Sequence, residues 1–313
     1  MALPDGFSQA VERWLAEAGR GGARGGARQL STTYRAGGTS EGIDLAAYLV
    51  TRLPATYAAV STVLSEVQRL RPAFAPKSLV DAGSGPGTAA WAASACWSSL
   101  EKFELLDNNR DFLTLAQSLA LEGGLAGMKG EMGSLLHAGA KADLVIAAYA
   151  LAEIPLNRMP EAADALWARA QETLVLVEPG TPSGFARIRA TRERLLRLGA
   201  SVIGPCPHEN TCPLEGADWC HFSVRLPRSR AHMHAKAATV PFEDEKFAWA
   251  AFSRERAAAS PPRIIAPPVY TKAALALRLC TEQGIAMRHV PRRDKDAFRS
   301  VRHLGWGDTM GSA

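Results

Sequence analysis

The chain has 313 residues, of which 47% are hydrophobic and 21% are charged, and its formal net charge is +5. This composition is typical of a soluble globular protein with one large domain or two ordinary ones. No apolar run is long enough to span a bilayer, so we expect no membrane partner. Acidic residues precede any basic cluster at the N-terminus, which argues against a signal or transit peptide and favours a reducing compartment.

Residues 1–75 are predicted to be mostly helical. Apolar side chains recur at helical spacing in 7–18, and further helical patterns run over 42–53 and 55–70. The basic, glycine-rich stretch 19–28 interrupts them and is predicted to be a flexible link.

From Pro76 onward, short apolar strands alternate with helical patterns, which favours right-handed βαβ units and a parallel sheet. The predicted strands are 78–82, 102–107, 142–149 and 173–178, with helices at 87–97, 109–121 and 158–171. A further strand must lie between Gly123 and Leu136, where the pattern is unclear. We therefore predict an α/β, Rossmann-like domain over 76–255.

The last third of the chain is predicted to add two features to this domain. A strand at 200–204 leads into a cysteine-rich insertion, 204–244, and a strand at 245–255 returns to the sheet. Residues 256–313 are predicted to form a small β-rich C-terminal subdomain that ends in a helix, 294–304.

The stretch DAGSGPGTAAW (81–91) follows a predicted strand and opens a predicted helix. Gly83, Gly85 and Gly87 permit a tight turn and let a ligand approach the backbone closely. Asp107 lies at the end of the next predicted strand, 24 positions beyond Gly83. A carboxylate there can accept hydrogen bonds from both ribose hydroxyls of an adenosine-containing cofactor.

Two cofactor classes compete for this loop. A nicotinamide or flavin dinucleotide normally requires G-x-G-x-x-G, whereas this chain has G-S-G-P-G. The observed spacing resembles the first motif of class I S-adenosylmethionine-dependent methyltransferases, Asp/Glu-x-Gly-x-Gly-x-Gly. That resemblance implies S-adenosyl-L-methionine held by residues of the loop and of later strand ends: Asp81, Gly83, Ser84, Gly85, Gly87, Asp107 and Tyr149. The alternative is a structural turn that has lost its ligand.

The sequence does not identify a methyl acceptor. Enzymes that methylate exocyclic amines carry Asp/Asn-Pro-Pro and an aromatic residue after the fourth strand, where this chain has Ala148-Tyr149-Ala150-Leu151. Cytosine C5 enzymes require a nucleophilic cysteine after proline in the same region, but Pro205-Cys206 follows the sixth strand. The catalytic residues are therefore unknown, and enzymatic activity stays open.

Three of the five cysteines, Cys206, Cys212 and Cys220, lie in one loop with the spacing C-x5-C-x7-C. In a reducing compartment such a cluster favours metal binding, and Cys280 is the only downstream candidate for a fourth ligand. Zinc sites usually contain a tight C-x2–4-C pair, which is absent here, but zinc stays an alternative. Unrelated buried thiols are the other alternative.

The positive charge is concentrated in the C-terminal half. Residues 182–303 carry 21 Lys/Arg against 11 Asp/Glu, whereas the rest of the chain carries 15 against 20. This asymmetry favours a polyanion partner, and the alternative is a solvated basic face. We predict RNA contacts from the arginines of three basic stretches: Arg187, Arg189, Arg192, Arg225, Arg228, Arg230, Arg292 and Arg293.

Three longer patterns carry a more specific resemblance. They are LSTTYR and AYLVTRLPATYAAV upstream of the glycine loop, the run LVEPGTPSGFARIRATRERLL, and PCPHENTCPL with DWCHFSVRLPRSR and EDEKFAW. Together with the closing WGD (306–308), they resemble the methyltransferase-like assembly factors of the small ribosomal subunit, known from mitochondria and many bacteria. The resemblance extends from about Leu30 to Asp308.

The resemblance implies a methyltransferase fold on the maturing small subunit, contact with its RNA, and a 4Fe–4S cluster. On this sequence the implied ligands are Cys206, Cys212, Cys220 and Cys280. We expect a monomeric, cytoplasmic protein, with the mitochondrial matrix as the alternative. The alternatives for its function are an active rRNA methyltransferase and a zinc-stabilised RNA-binding protein.

Overall fold

A computed structural model of the chain describes residues 2–18, 44–258 and 260–311. The predicted flexible link at 19–28 and the LSTTYR pattern at 30–35 lie outside the described residues. Among the described helices, none combines the length and the apolar character that crossing a bilayer requires.

The main sheet has eight strands in the order β3-β2-β1-β4-β5-β8-β6, with β7 paired to β8. Its strands are β1 (Ser78–Ala82), β2 (Lys102–Asp107), β3 (Met128–Met132), β4 (Ala142–Ala148), β5 (Ala170–Pro179), β6 (Ser201–Gly204), β7 (Phe222–Pro227) and β8 (Phe242–Ser253). The first five strands are parallel, and β8 runs antiparallel to β5. This arrangement confirms the predicted Rossmann-like methyltransferase sheet.

Nine α-helices are described around the two sheets of the chain. They are α1 (Asp5–Glu17), α2 (Leu45–Thr51), α3 (Leu53–Leu70), α4 (Thr88–Cys96), α5 (Arg110–Gly123), α6 (Met159–Arg169), α7 (Pro182–Arg197), α8 (Arg230–Ala235) and α9 (Lys295–Val301). Helices α1 to α5 pack on one face of the main sheet, and α6 and α7 pack on the other.

The alternation of side chains along the strands creates these two cores. In β5, Val175 and Val177 join the core beneath α1 to α5, whereas Leu174 and Leu176 join the core beneath α6 and α7. All four side chains are fully buried. A strand buried on both faces has a continuous apolar run, which is why the sequence pattern identified these central strands.

The N-terminal helices share the core of the sheet domain. The ring of Phe7 in α1 stacks on that of Trp91 in α4, with ring centroids 4.6 Å apart. Arg13 pairs with Glu122 of α5 at 3.1 Å. The predicted helical region therefore closes one face of the sheet in this structure.

Strand β8 divides its outer edge between two partners. Its second half pairs with β6, and its first half pairs with β7. The segment 205–221 therefore leaves the sheet at the point where one partner ends and the other begins. Strand β7 was not predicted, since the sequence analysis assigned it to the cysteine-rich insertion as a whole.

The C-terminal region forms a second sheet with a core of its own. Its strands are β9 (Arg263–Ile264), β10 (Val269–Tyr270), β11 (Ala274–Thr281) and β12 (Gly284–Pro291). Its buried side chains come from β9, β11, β12 and α9, and from Leu304, which follows α9.

Arg263 joins this second sheet to the rest of the molecule. The side chain is 2% exposed, and its Nη1 donates to Glu66 of α3 at 2.6 Å and to the carbonyl of Gly307 at 2.8 Å. Its Nε donates to the carbonyl of Pro205 at 3.1 Å. One buried guanidinium thus contacts the helical region, the cysteine-rich segment and the C-terminal turn.

We expect Arg263→Met to lower the free energy of unfolding by about 3–5 kcal/mol, because removing one partner leaves buried acceptors unpaired. Denaturant unfolding measures this change. The matched control is Arg69→Met, since Arg69 contacts the same carboxylate from a half-exposed position and should cost less than about 1 kcal/mol. Equal costs in the two variants would contradict the role assigned to Arg263.

Candidate cofactor pocket and cysteine cluster

A cavity of about 220 Å³ lies at the carboxyl ends of the parallel strands, where open α/β sheets bind their ligands. Gly83 and Gly85 line it from the loop after β1, and Asp107 lines it from the end of β2. Tyr149 lines it from the residue after β4. The structure thus brings together four of the residues predicted to bind a cofactor.

The glycine loop depends on backbone conformations that favour glycine. Gly83, Gly85 and Gly87 all have positive φ, at 71°, 52° and 78°. A Cβ added at Gly83 would lie 2.4 Å from the Cβ of Ala150, so the residue must also be small for steric reasons. Glycine at position 83 therefore lets the loop pack closely against Ala150, in the segment after β4.

Asp107 is tied to this loop. One of its carboxylate oxygens accepts from the amide of Gly85 at 2.7 Å, and the other accepts from the amide of Asn109 at 2.8 Å. A carboxylate has about four acceptor positions, so further hydrogen bonds to a ligand can form. Burial raises the pKa of Asp107, and the backbone hydrogen bonds oppose that shift.

The other three predicted cofactor residues do not line the cavity. Asp81 is 1% exposed and accepts from the amide of Ala90, so it holds the start of α4 from behind the loop. Burial raises the pKa of Asp81 to about 8. The carbonyl of Ser84 accepts from the amide of Gly87, which closes the turn.

Tyr149 has an unusual backbone for a non-glycine residue, with φ at 59°. Its hydroxyl donates to a carboxylate oxygen of Glu245 in β8 at 2.9 Å, and Arg52 approaches the same oxygen at 3.3 Å. Burial and the nearby Glu245 raise the pKa of Tyr149 well above its ordinary value. The hydroxyl is therefore protonated at neutral pH and acts as a hydrogen-bond donor.

The sequence analysis missed several groups of pocket residues, among them the segment 153–158 after β4, and two others are informative. The first is Tyr48 of α2, whose ring meets Phe112 edge-on at 5.0 Å above the cavity. The second is the segment 133–136, which follows β3. Strand β3 is at the edge of the sheet and mostly exposed, so its sequence MKGEM has no apolar alternation to reveal it.

The four candidate cysteine ligands line one cavity beside helix α7. Cys206 and Cys212 follow β6, Cys220 precedes β7, and Cys280 comes from β11 of the second sheet. His208 lines the same cavity, and its Nε2 lies 3.6 Å from the Sγ of Cys280. The tail of the chain therefore returns to the central loop, as the single downstream cysteine suggested.

The cysteines influence each other's ionisation. Burial first, and then the neighbouring thiols, raises the pKa of Cys280 to about 12 and that of Cys220 well above its ordinary value. Without a metal, Cys220 and Cys280 are therefore neutral thiols at pH 7. Within the ranges that the structure describes, no three His, Cys, Asp or Glu side chains are close enough to hold a single metal ion.

The predicted RNA-binding arginines differ in exposure. Arg225, Arg230, Arg292 and Arg293 are exposed. Arg187 and Arg189 are partly buried and donate to backbone carbonyls, and Arg228 is 17% exposed with its Nε bonded to Glu243.

Arg192 differs most from the prediction. Its side chain is 3% exposed, and it lines the cavity of the four cysteines. Position 192 falls on the inner face of α7, which the sequence treated as a uniformly basic helix. A buried guanidinium cannot contact RNA phosphates, so Arg192 leaves the predicted RNA surface.

Comparison with solved structures gives low identities. A magnesium protoporphyrin IX methyltransferase from Synechocystis PCC 6803, solved with bound SAH, is 13% identical with a TM-score of 0.45, covering 80% of this chain and 100% of that one. A putative RNA methyltransferase from Pyrococcus horikoshii is 12% identical with a TM-score of 0.42, covering 62% of this chain and 83% of that one.

Comparison with characterised sequences is more specific. The human protein named "Ribosome assembly protein METTL17, mitochondrial" is 30% identical over 294 residues. The alignment covers 87% of this chain but 63% of the human protein, so this chain spans less than two thirds of its relative. A family model described as "Mitochondrial small ribosomal subunit Rsm22" matches residues 43–311. The chain belongs to this Rsm22 family.

Proposed function

We propose that this protein is an assembly factor of the small ribosomal subunit that binds S-adenosyl-L-methionine, a 4Fe–4S cluster and rRNA. The observation that carries the proposal is the convergence of four cysteines from two distant parts of the chain on one cavity, in a member of the Rsm22 family. The human relative's name describes ribosome assembly, in line with the partner predicted from the sequence. That name also supports the mitochondrial alternative for its compartment.

The cavity at the glycine loop supports a nucleoside cofactor. Asp107 keeps acceptor positions for ribose hydroxyls while its backbone bonds to Gly85 and Asn109 hold the carboxylate in place. The loop spacing has no third glycine placed for a pyrophosphate, which favours S-adenosyl-L-methionine over a dinucleotide. Aromatic side chains of Tyr48 and Phe112 provide an apolar wall.

We expect Asp107→Ala to weaken S-adenosyl-L-methionine binding more than tenfold, because each hydrogen bond to a charged group contributes about 1.5–3 kcal/mol. Calorimetry on the purified protein measures the affinity. Asp111→Ala is the matched control, since Asp111 is an exposed carboxylate in the first turn of α5 and does not line the cavity. Equal affinity in wild type and Asp107→Ala would remove Asp107 from the site.

The cysteine cavity supports a metal centre of four thiolates. When bound, a 4Fe–4S cluster would contribute a redox-active group and a covalent link between the ligands, which here come from the 206–220 segment and Cys280. No tight pair of cysteines is present in this set, and three of the four are separated by loops of five and seven residues. These spacings favour a cluster over one zinc ion.

Anaerobic purification followed by iron, sulfide and zinc analysis tests the metal. We expect about four irons and four sulfides per chain, as four-cysteine cluster sites hold. Cys280→Ser should lose the metal and expose residues 262–311 to proteolysis, because metal binding contributes to folding. Cys96→Ser is the control, since Cys96 lies in α4 and does not line the cavity. One zinc without iron would replace the cluster by a zinc site.

The exposed arginines support RNA binding on the C-terminal half. Arg225 lies 4.0 Å from the ring centroid of Phe242, which is itself 38% exposed, so a cation and an aromatic face occur together on the surface. Such pairs suit unstacked bases and phosphates of RNA. Arg225 is also bonded to Asp244, and an RNA phosphate would compete for its guanidinium.

We expect Arg225→Gln with Arg230→Gln to weaken binding to a single-stranded oligoribonucleotide. If both contact phosphates, the slope of log affinity against log salt should decrease in magnitude by roughly 0.7 per lost contact. Arg13→Gln is the control, because Arg13 is exposed on the acidic part of the chain. An unchanged slope in the double variant would exclude this surface, and no RNA affinity in wild type would reject the RNA partner.

Methyl transfer is the second candidate function. Tyr149, the polar side chain that directly follows β4 in the cavity, donates to Glu245 and has a raised pKa, so it cannot serve as a general base at neutral pH. Tyr149 therefore supplies no base for methyl transfer, and the alternative is cofactor binding without turnover. Mass spectrometry of small-subunit RNA from cells with and without the gene tests the two, since a nucleotide that loses its methyl group would favour the enzyme.

A further inference from the structure

Arg192 is a buried cation without an anion. Its Nη2 donates to the carbonyls of His208 at 2.8 Å and Asn210 at 2.9 Å. Its Nε and Nη1 are buried and have no hydrogen-bond partner among the described residues. No carboxylate in the described part of the chain forms an ion pair with it, although a guanidinium stays charged in proteins.

Two neighbouring arginines of α7 each have the carboxylate partner that Arg192 lacks among the described residues. Arg189 pairs with Glu193 at 3.1 Å, and Arg194 pairs with Asp164 at 2.7 Å. Both lie near the surface, where an ion pair is weak and optional. Arg192 faces inward, where an unpaired charge is far more costly, so a compensating anion is expected beside it.

The described residues that line the cavity beside Arg192 include no Asp or Glu, so the cysteines are the groups there that can become anionic. Arg192 lines the same cavity as Cys206, Cys212, Cys220 and Cys280. Four thiolates around a metal ion or cluster leave a net negative charge, which would compensate the guanidinium.

We propose that Arg192 is the counter-cation of an anionic, four-thiolate metal centre and that it positions the loop carrying two of the ligands. The proposal builds on the metal centre proposed above. The hydrogen bonds to His208 and Asn210 fix the backbone between Cys206 and Cys212 on α7. The three N–H groups on Nε and Nη1 then stay available for the charge of the centre. Arg192 is a positioning residue whose charge stabilises the more negative state of the centre.

The experiment compares Arg192→Gln and Arg192→Lys in the full chain, reconstituted anaerobically with iron and sulfide. Glutamine keeps two amide donors but carries no charge, whereas lysine keeps the charge without the fork of donors. Arg194→Gln is the matched control, because Arg194 lies on the same helix, does not line the cavity and is paired with Asp164. Circular dichroism establishes that each variant is folded.

Two measurements are made on the reconstituted proteins: the reduction potential and the rate of iron release to a chelator. We expect Arg192→Gln to shift the potential to lower values, since loss of a nearby positive charge disfavours the more negative reduced state. We expect Arg192→Lys to preserve most of the potential. Metal affinity should fall about 10- to 100-fold in Arg192→Gln, as for other groups that support metal ligands. Arg194→Gln should change neither quantity.

The outcomes separate this inference from the proposed cluster. If wild type binds zinc instead of iron, the cluster is rejected, but Arg192→Gln must still weaken zinc affinity about 10- to 100-fold. If wild type binds a metal and Arg192→Gln retains both its affinity and its potential, the role of Arg192 is overturned while the centre stands. If wild type binds no metal under any of these conditions, both proposals fail.

Discussion

The buried guanidinium of Arg263 is the constraint on which the arrangement of the three regions depends. It is 2% exposed and bonded to Glu66, Pro205 and Gly307, which belong to the helical region, the cysteine-rich segment and the C-terminal turn. In the second sheet Arg263 is also the strand partner of Cys280. Because a buried charge must keep its partners, these regions hold one another in position.

Strand β8 contributes to the surroundings of both candidate sites. Glu245, near the start of β8, accepts a hydrogen bond from the hydroxyl of Tyr149, which lines the glycine-loop cavity. Ala248 and Ala250, farther along β8, line the cysteine cavity. The two sites are therefore built on one continuous strand of a densely packed sheet.

Local patterns were sufficient for most of the sheet. Apolar runs identified β1, β2, β4 and β5, because strands that are buried on both faces consist largely of consecutive apolar residues. The same reasoning could not identify β3, whose edge position leaves MKGEM exposed, or β7, whose pairing with β8 is set by a long-range contact. Tyr48 was missed for a related reason, since α2 reaches the cavity only through tertiary packing.

The sequence by itself was enough to predict the glycine loop, the acidic residue at the end of β2 and a cluster of four cysteines. Backbone conformation and thiol chemistry depend on residue type and spacing, which the sequence contains. Only the tertiary structure decided which predicted groups reach a site. It placed Cys280 beside the central loop and turned Asp81 away from the cofactor cavity. It also moved Arg192 from a predicted RNA surface to the cysteine cavity. The physical reason is that local sequence is enough to predict a helix or a strand. Which side of that element is buried, and against which other element, depends on contacts between residues that are distant in the sequence.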